Sequence, residues 1–467
     1  MNKQSIKLII CFVIGAAIWN VSHPENISNN AWQLLAIFTS TICMILLQAL
    51  PMGAATLTGL TFTILTKTMT FDAAFSGYKN AVPWLILVAF FIAHGFIKTG
   101  LGARVAYNFI AVMGKRTLRL AYALVLTDLT LAPVIPSLTA RTGGVMFPIV
   151  KSLAEAFGST PEKNTSRKIG SYLIMVSFQC TVISASMFLT AMAANPLVQK
   201  LGADLGANIT WGNWALAASV PGSLCLLVIP FLLFKIYPPE LKETPGAIDM
   251  AKKKLADMGP MSRDEKIMGI GFIFILSLWI FGKHVGIKAA TAALIGLCFL
   301  LFTSVLTWGE LLRIPSAWDT FIWFGALIAM AEGLNKFGLT QWFGNFAAAK
   351  FSDVPWHVGF ISMLLIYFYI HYFFASSVAH VGALYLPLVT VSVNLGAPPF
   401  AAALAFGIAS NIYGSLTHYG CGPAPILYGA GYVTLKEWWG IGFLMSIVNI
   451  TIWIFVGGMW WRFLQYI

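Results

Sequence analysis

The chain has 467 residues, of which 58% are hydrophobic and 10% are charged, and its formal net charge at pH 7 is +12. Its mean hydropathy is +0.80. So few polar side chains could not cover the surface of a soluble protein of this length, and the composition therefore excludes a soluble globular fold. Apolar runs of about 20 residues recur, which is the length that spans a bilayer. The sequence predicts an all-α polytopic membrane protein.

The predicted spans fall into two halves on either side of a charged linker. The first half, 1–237, has apolar segments near 5–22, 31–66 (two helices), 83–110, 118–157 (broken), 168–195 and 210–236. After the linker, 238–266, the second half, 267–467, has segments near 267–283, 287–307, 317–337, 356–396 (broken), 397–418 and 437–460. The first segment follows two lysines and has no convincing cleavage site, so we read it as an uncleaved span.

Most of the basic residues are grouped in short loops and in the linker. Lys115, Arg116 and Arg119 form one group, and Lys252 to Lys254 form part of another. The positive-inside rule places such loops in the cytoplasm. The positive charge is therefore explained by topology, and no nucleic-acid partner is expected. The six cysteines contain no CxxC pair, so neither a disulfide framework nor a metal site is predicted, and no cofactor is expected.

An internal repeat links the two halves. SLTARTGGVMFP, which begins at Ser137, matches SSVAHVGALYLP, which begins at Ser376, in the frame S-x-x-A-[RH]-x-G-x-x-x-x-P. The offset is 239 residues (376 minus 137). GFIKTGL at 95–101 matches GLNKFGL at 333–339 at an offset of 238. Two matches in one order at nearly one offset indicate repeated halves.

Corresponding helices broken by glycine and proline in two halves are typical of secondary transporters. Broken helices at membrane depth are tolerated where the freed backbone lines a cavity or is buried in protein. Their amino-terminal ends present free N–H groups, so two such ends could hold an anion with charge at both ends. The alternative is that the small residues only let helices approach closely.

These motifs resemble the divalent-anion:sodium symporter family, whose members carry di- and tricarboxylates, and the resemblance covers nearly the whole chain. It implies a homodimer of elevator-type transporters with two inverted-topology repeats and roughly 11 transmembrane helices. It also implies helical hairpins at 83–115 and 320–346, broken helices at 133–148 and 374–387, site-bordering loops at 184–196 and 411–425, and a final helix at 437–460.

The family's Ser-Asn-Thr motif is altered in both copies. It reads Ser137-Leu138-Thr139 in the first copy and Ser376-Ser377-Val378 in the second, so both asparagines are absent. The resemblance implies that these six residues bind substrate, together with Ser186 and Thr417 on the two bordering loops. No catalytic residue is expected.

Arg141 and His380 occupy matching positions in the two motif copies. In sodium-coupled members of the family, carbonyls near these positions bind sodium. A guanidinium could donate to those carbonyls instead. This places the chain nearer the sodium-independent exchangers of the citrate/succinate, tartrate/succinate and oxoglutarate/malate type. We therefore expect exchange of dicarboxylates such as succinate, malate, fumarate or 2-oxoglutarate across a bacterial plasma membrane.

The permanent charge of arginine suggests why exchange would be obligatory. A bound dicarboxylate would bring the carrier closer to neutrality, so the loaded form would cross the bilayer more easily than the empty one. Two alternatives concern these side chains: Arg141 could instead pair with Asp128, and His380 could be a neutral histidine that bonds a carbonyl. His371 is interpreted as a packed histidine.

Three other functions compete with exchange. A sodium-coupled symporter that tolerates Arg141 stays within the family. An intramembrane protease could use Ser376 and His380, four residues apart on one helix face, but the first copy has an arginine where the base would stand. A channel should show polar rings along a path rather than paired broken helices. We therefore expect a transporter and not an enzyme.

Overall fold

The computed structural model describes residues 3–282, 286–350 and 354–467. Within these residues every regular element is helical. Eight of the described helices are long and apolar enough to cross a membrane, and three shorter apolar helices accompany them. The predicted all-α, polytopic membrane class is confirmed.

The helices follow the predicted segments. The first half contains Lys3–Asn20, Asn29–Leu46, Met52–Leu65, Ala81–Thr99, Leu101–Met113, Thr117–Leu131, Phe147–Ala156, Gly170–Met187, Ala194–Ala203 and Trp211–Ile236. The linker and second half contain Pro245–Met258, Arg263–Phe281, Ala289–Phe302, Pro315–Lys336, Leu339–Lys350, Trp356–Tyr369, Leu386–Asn394, Pro399–Ile412 and Leu435–Ile452. The predicted final helix continues through a π-helical turn, Trp453–Gly457, into Gly458–Phe463.

Both expected hairpins turn at a glycine in the left-handed region. Gly100, with φ of +78°, separates Ala81–Thr99 from Leu101–Met113. Gly338, with φ of +79°, separates Pro315–Lys336 from Leu339–Lys350. Only glycine adopts this conformation without a steric cost. The turn therefore explains why both repeat copies have a glycine before the shared leucine.

The carboxyl end of the first hairpin helix is held by an ion pair. Lys98 Nζ lies 2.6 Å from Glu310 Oε1 and donates to the carbonyl of Val305 at 2.9 Å. The ammonium of Lys98 and the backbone N–H of Thr307 lower the pKa of the Glu310 carboxyl to about 2. Both side chains are about one-third exposed, so the pair contributes little to stability.

The linker 238–266 is more structured than its composition suggests. Pro245–Met258 is a helix that packs on Leu101–Met113 through the buried Ala247 and Ala251. Arg104 donates from Nε to Glu265 Oε1 at 2.6 Å and from Nη1 to the carbonyl of Gly259 at 3.0 Å. Charge density alone predicted a polar connection, whereas alanines at spacing four give the helix a buried face.

The chain divides into two compact units that do not follow the sequence halves. The first unit is Met1–Leu87, Pro196–Ile209 and Leu312–Gly407; the second is Val88–Asn195, Thr210–Leu311 and Ile408–Ile467. Each unit takes segments from both halves. The broken helix at 133–148 belongs to the second unit and the one at 374–387 to the first.

Candidate functional site

The first broken helix restarts at Ser137. The helix Thr117–Leu131 stops before Pro133 and Pro136, because proline cannot continue the hydrogen-bond ladder. Ser137 Oγ accepts from the N–H of Ala140 at 3.2 Å, and its carbonyl accepts from the N–H of Arg141 at 2.9 Å. A π-helical stretch, Thr139–Met146, then leads into Phe147–Ala156. Serine thus caps a widened turn.

The second broken helix has the same local geometry at matching positions. Ser376 Oγ accepts from the N–H of Ala379 at 3.3 Å, and its carbonyl accepts from the N–H of His380 at 3.1 Å. A π-helical stretch, Val381–Tyr385, leads into Leu386–Asn394, whose first turn holds a proline, as does that of the first copy. The sequence repeat is therefore also a repeat of local structure.

Arg141 is fully buried, and its guanidinium is surrounded by acceptors. Nη1 donates to the carbonyls of Ile135 and Ala191, each at 3.0 Å. Nη2 donates to the carbonyl of Thr181 at 3.3 Å, and Nε donates to Asp128 Oδ1 at 2.9 Å. Arg141 therefore donates to loop and helix carbonyls and also pairs with Asp128, the alternative raised above.

Asp128 and two threonines complete this buried network. Thr181 Oγ1 donates to Asp128 Oδ1 at 3.1 Å and lies 2.6 Å from Thr142 Oγ1. The carboxylate compensates the guanidinium, so the pair carries no net charge. The uncompensated arginine charge from which obligatory exchange was predicted is therefore wrong, because Asp128 pairs with Arg141. The network links the π-helical stretch to the helices Thr117–Leu131 and Gly170–Met187.

His380 lies against a second histidine. Its Nδ1 lies 2.9 Å from Nδ1 of His371, and the two rings stack with centroids 5.1 Å apart. Tyr367 and Phe374 enclose the His380 ring. One Nδ1 must donate and the other must accept, so the two nitrogens cannot both carry a proton. His371, interpreted from sequence as packing, is a direct partner of His380.

The predicted substrate-binding residues differ in exposure. Thr139 is exposed and Ser137, Ser376 and Val378 are half-buried, whereas Leu138, Ser377, Ser186 and Thr417 are buried. Ser186 Oγ donates to the carbonyl of Ile183 in its own helix at 2.8 Å. Thr417 Oγ1 has no hydrogen-bond partner among the described residues. Of these two residues, Thr417 is the one whose hydroxyl has no partner among the described residues.

Thr139 contacts the loop that carries Thr417. A Cβ added at Gly422 would overlap Thr139 Oγ1, and a Cβ added at Gly143 would lie 2.7 Å from the side chain of Ile426. The second unit therefore brings the first motif copy against the loop 411–425, as the resemblance implied. Glycine is required at 422 for this close approach.

Sequence reasoning missed several buried polar residues of the second unit. Asn195 Nδ2 donates to the carbonyls of Ala185 and Phe188, each at 3.0 Å, and Asn411 Nδ2 donates to Asn195 Oδ1 at 2.8 Å. These amides join the two bordering loops. The feature that could have identified them is an asparagine at the edge of each loop, next to apolar residues. Thr181 gave no signal, because a threonine inside an apolar run is ordinary.

Comparison with known proteins decides the family. Residues 2–467 match the family model described as the sodium:sulfate symporter transmembrane region. The chain belongs to the divalent-anion:sodium symporter family. It is similar to Dicarboxylate transporter 1, chloroplastic, of Spinacia oleracea (51% identity, 98% of this chain and 81% of the relative). It is also similar to the putative malate transporter YflS of Bacillus subtilis (48% identity, 99% and 98%).

More distant relatives agree in length and architecture. Inner membrane protein YbhI of Escherichia coli is 36% identical over 99% of each chain. The crystal structure of the YdaH transporter of Alcanivorax borkumensis is similar in fold, with a TM-score of 0.53 over 98% of this chain and 96% of that one, at 13% identity. The family predicted from the broken-helix motifs is confirmed, and the chain is a member of a transporter family rather than an enzyme.

Proposed function

We propose that this member of the family is a sodium-independent exchanger of dicarboxylates such as succinate, malate, fumarate or 2-oxoglutarate. The substrate class is supported by similarity to proteins named dicarboxylate and malate transporters. The broken helices supply the chemistry. Amides in the first turn of a helix have no preceding helical carbonyl to bond. Leu138, Thr139 and Val378 would thus offer backbone N–H groups to carboxylates despite the loss of both asparagines.

The bonding of Arg141 is the observation that supports sodium independence. The resemblance places a sodium ion among carbonyls of the broken helix in coupled members. Here three carbonyls around that helix already accept from the Arg141 guanidinium. A cation would have to compete with these bonds and with a fixed positive charge at the same place. The arginine stabilises the broken helix without a bound ion, so substrate binding does not require sodium.

Exchange is supported by the polar groups of the empty site rather than by net charge. Asp128 compensates Arg141, so the arginine adds no charge to the empty carrier. The buried Thr417 hydroxyl nevertheless has no partner among the described residues, and first-turn amides have no preceding helical carbonyl to bond. Moving such groups through a low-dielectric barrier is costly, whereas a dicarboxylate satisfies them. The loaded form should therefore cross faster than the empty form.

Three further features stay predictions from the resemblance. They are a homodimer, an elevator-type movement and inverted-topology repeats. The bacterial plasma membrane remains the proposed location, and similarity to an Escherichia coli inner membrane protein supports it. Two similar plant proteins are named chloroplastic, so a different membrane is the competing assignment.

The deciding experiment measures uptake of labelled succinate and 2-oxoglutarate into proteoliposomes. The liposomes are loaded with or without unlabelled dicarboxylate, and the outer buffer contains either sodium or choline. Uptake that requires internal dicarboxylate and is equal in both buffers supports exchange. Uptake into empty liposomes driven by a sodium gradient would identify a sodium-coupled symporter. It would overturn the interpretation that Arg141 replaces a bound sodium ion. Absence of uptake for both substrates would refute them as the transported dicarboxylates.

A further inference from the structure

His418 lies in an aromatic enclosure beside the predicted substrate-binding Thr417. Its ring is half-buried, and its centroid lies 4.9 Å from that of Tyr419, 4.7 Å from that of Tyr428 and 6.2 Å from that of Trp439. All four belong to the second unit. Three rings around one imidazole leave it few orientations.

The contact with Trp439 fixes the protonation of the ring. Trp439 Nε1 donates to His418 Nδ1 at 3.1 Å. An indole nitrogen can only donate, so Nδ1 must be an unprotonated acceptor. The single ring proton is then on Nε2, and the imidazole is a neutral donor at that atom. Among the described residues, Nε2 has no hydrogen-bond partner and His418 joins no ion pair.

The neighbouring residues point to an anionic ligand for this donor. Thr417 is fully buried, and its hydroxyl has no partner among the described residues. Five residues after Thr417, Gly422 contacts the exposed Thr139 at the start of the broken helix. One loop therefore carries an unpartnered hydroxyl, an unpartnered imidazole N–H and a close contact with the broken helix. An ionised carboxylate can only accept hydrogen bonds, so its oxygens suit these two donors.

We propose that His418 binds a substrate carboxylate through Nε2–H and that Trp439 is its positioning residue. This inference rests on the proposed dicarboxylate function and adds a specific donor to it. A fixed neutral donor suits this position better than a lysine would. It binds a carboxylate without adding a charge that would remain when the site is empty.

Three substitutions at His418 separate donation from packing. His418→Gln places an amide N–H near the position of Nε2, and His418→Asn places it near the position of Nδ1. His418→Phe keeps the ring and removes the donor. The measurement is the KM for external malate in exchange, with size-exclusion profiles confirming that each variant is folded. We expect His418→Gln to stay within about threefold of wild type, and the other two to raise KM about tenfold or more.

The opposite order of effects would overturn the proposal. If His418→Phe transports with the wild-type KM and His418→Gln does not, the ring only packs. A wild-type KM in all three variants, or loss of binding in a folded His418→Gln, would also refute donation. Trp439→Phe is the second test, independent of changes at His418. It removes the donor that fixes the tautomer while keeping an aromatic ring, and a KM unchanged from wild type would contradict the positioning role.

The failure of this proposal and of the proposed function can be told apart. Wild-type exchange is measured before any variant, and its absence refutes dicarboxylate exchange itself. If wild type exchanges malate and the His418 variants follow the packing order, only the role of His418 is refuted.

Discussion

Arg141 and Asp128 are buried charges that stabilise the fold only as a pair. Removing one partner of a buried ion pair leaves the other charge uncompensated and costs about 3–5 kcal/mol. Arg141→Met should therefore lower the apparent melting temperature in detergent strongly. The matched control is Lys151→Met, because Lys151 and Glu155 form an exposed pair with an N–O distance of 3.8 Å. The control should change stability by less than about 1 kcal/mol.

A double variant tests whether the cost comes from the orphaned carboxylate. Arg141→Met combined with Asp128→Asn removes both charges, so part of the lost stability should return. If Arg141→Met were as stable as wild type, the network around the first broken helix would not be held by this pair. The reading of Arg141 as a replacement for a bound ion would then lose its support.

Gly422 is a residue whose smallness sets the geometry of the candidate site. An alanine there would overlap Thr139 Oγ1, so Gly422→Ala should displace the start of the broken helix and reduce exchange at least tenfold. Gly429→Ala is the control, because a Cβ at Gly429 meets nothing within 4 Å. The measurement is exchange rate per protein with expression and melting temperature compared. Equal activity of the two variants would show that the contact of Thr139 with Gly422 is not required.

At the scale of elements, the two hairpins depend on one backbone conformation. Gly100 and Gly338 have φ of +78° and +79°, and a non-glycine residue in the left-handed region costs about 1–2 kcal/mol. Gly100→Ala and Gly338→Ala should each lower the melting temperature, although a Cβ has space at both positions. Gly309→Ala is the control, since it has open space and no positive φ. A control that destabilises equally would refute the strain argument.

Features caused by residues that are neighbours in sequence could be predicted, whereas contacts between distant residues could not. The breaks at 133–148 and 374–387 have local causes, namely glycine and proline, so the sequence predicted them, whereas the hairpins were implied by the family resemblance. The side-chain partners of the two motif residues lie outside the motif: Asp128 and Thr181 are 13 and 40 residues from Arg141, and His371 is 9 residues from His380. Spacing could suggest Asp128 but could not choose it, and Thr181 and His371 had no distinguishing pattern.

Across the whole chain, the pairing of buried positive charges bears on how an anionic substrate would be bound. The formal net charge of +12 suggests that free positive side chains attract the anion. The deepest arginine is compensated by Asp128, and the partly buried Lys200 pairs with Asp204 and Glu332. Under the proposed function, neutral donors, namely the first-turn amides and the Thr417 hydroxyl, bind the anion in place of free cations. The proposed substrates carry two carboxylates, so a monocarboxylate would leave some of these donors unsatisfied.

Equilibrium binding provides a test that does not depend on transport. A ligand that binds only the folded protein stabilises it by about 2.7 kcal/mol at a concentration 100 times its Kd. Malate and succinate should therefore raise the apparent melting temperature of the detergent-solubilised protein. The increase should be the same in sodium chloride and in choline chloride, because the proposed role of Arg141 is to make the bonds that an ion would make. Acetate at equal ionic strength is the control and should have no effect. If the increase with malate required sodium, the arginine would not replace the ion, and the chain would be a coupled symporter despite the bonding of its guanidinium.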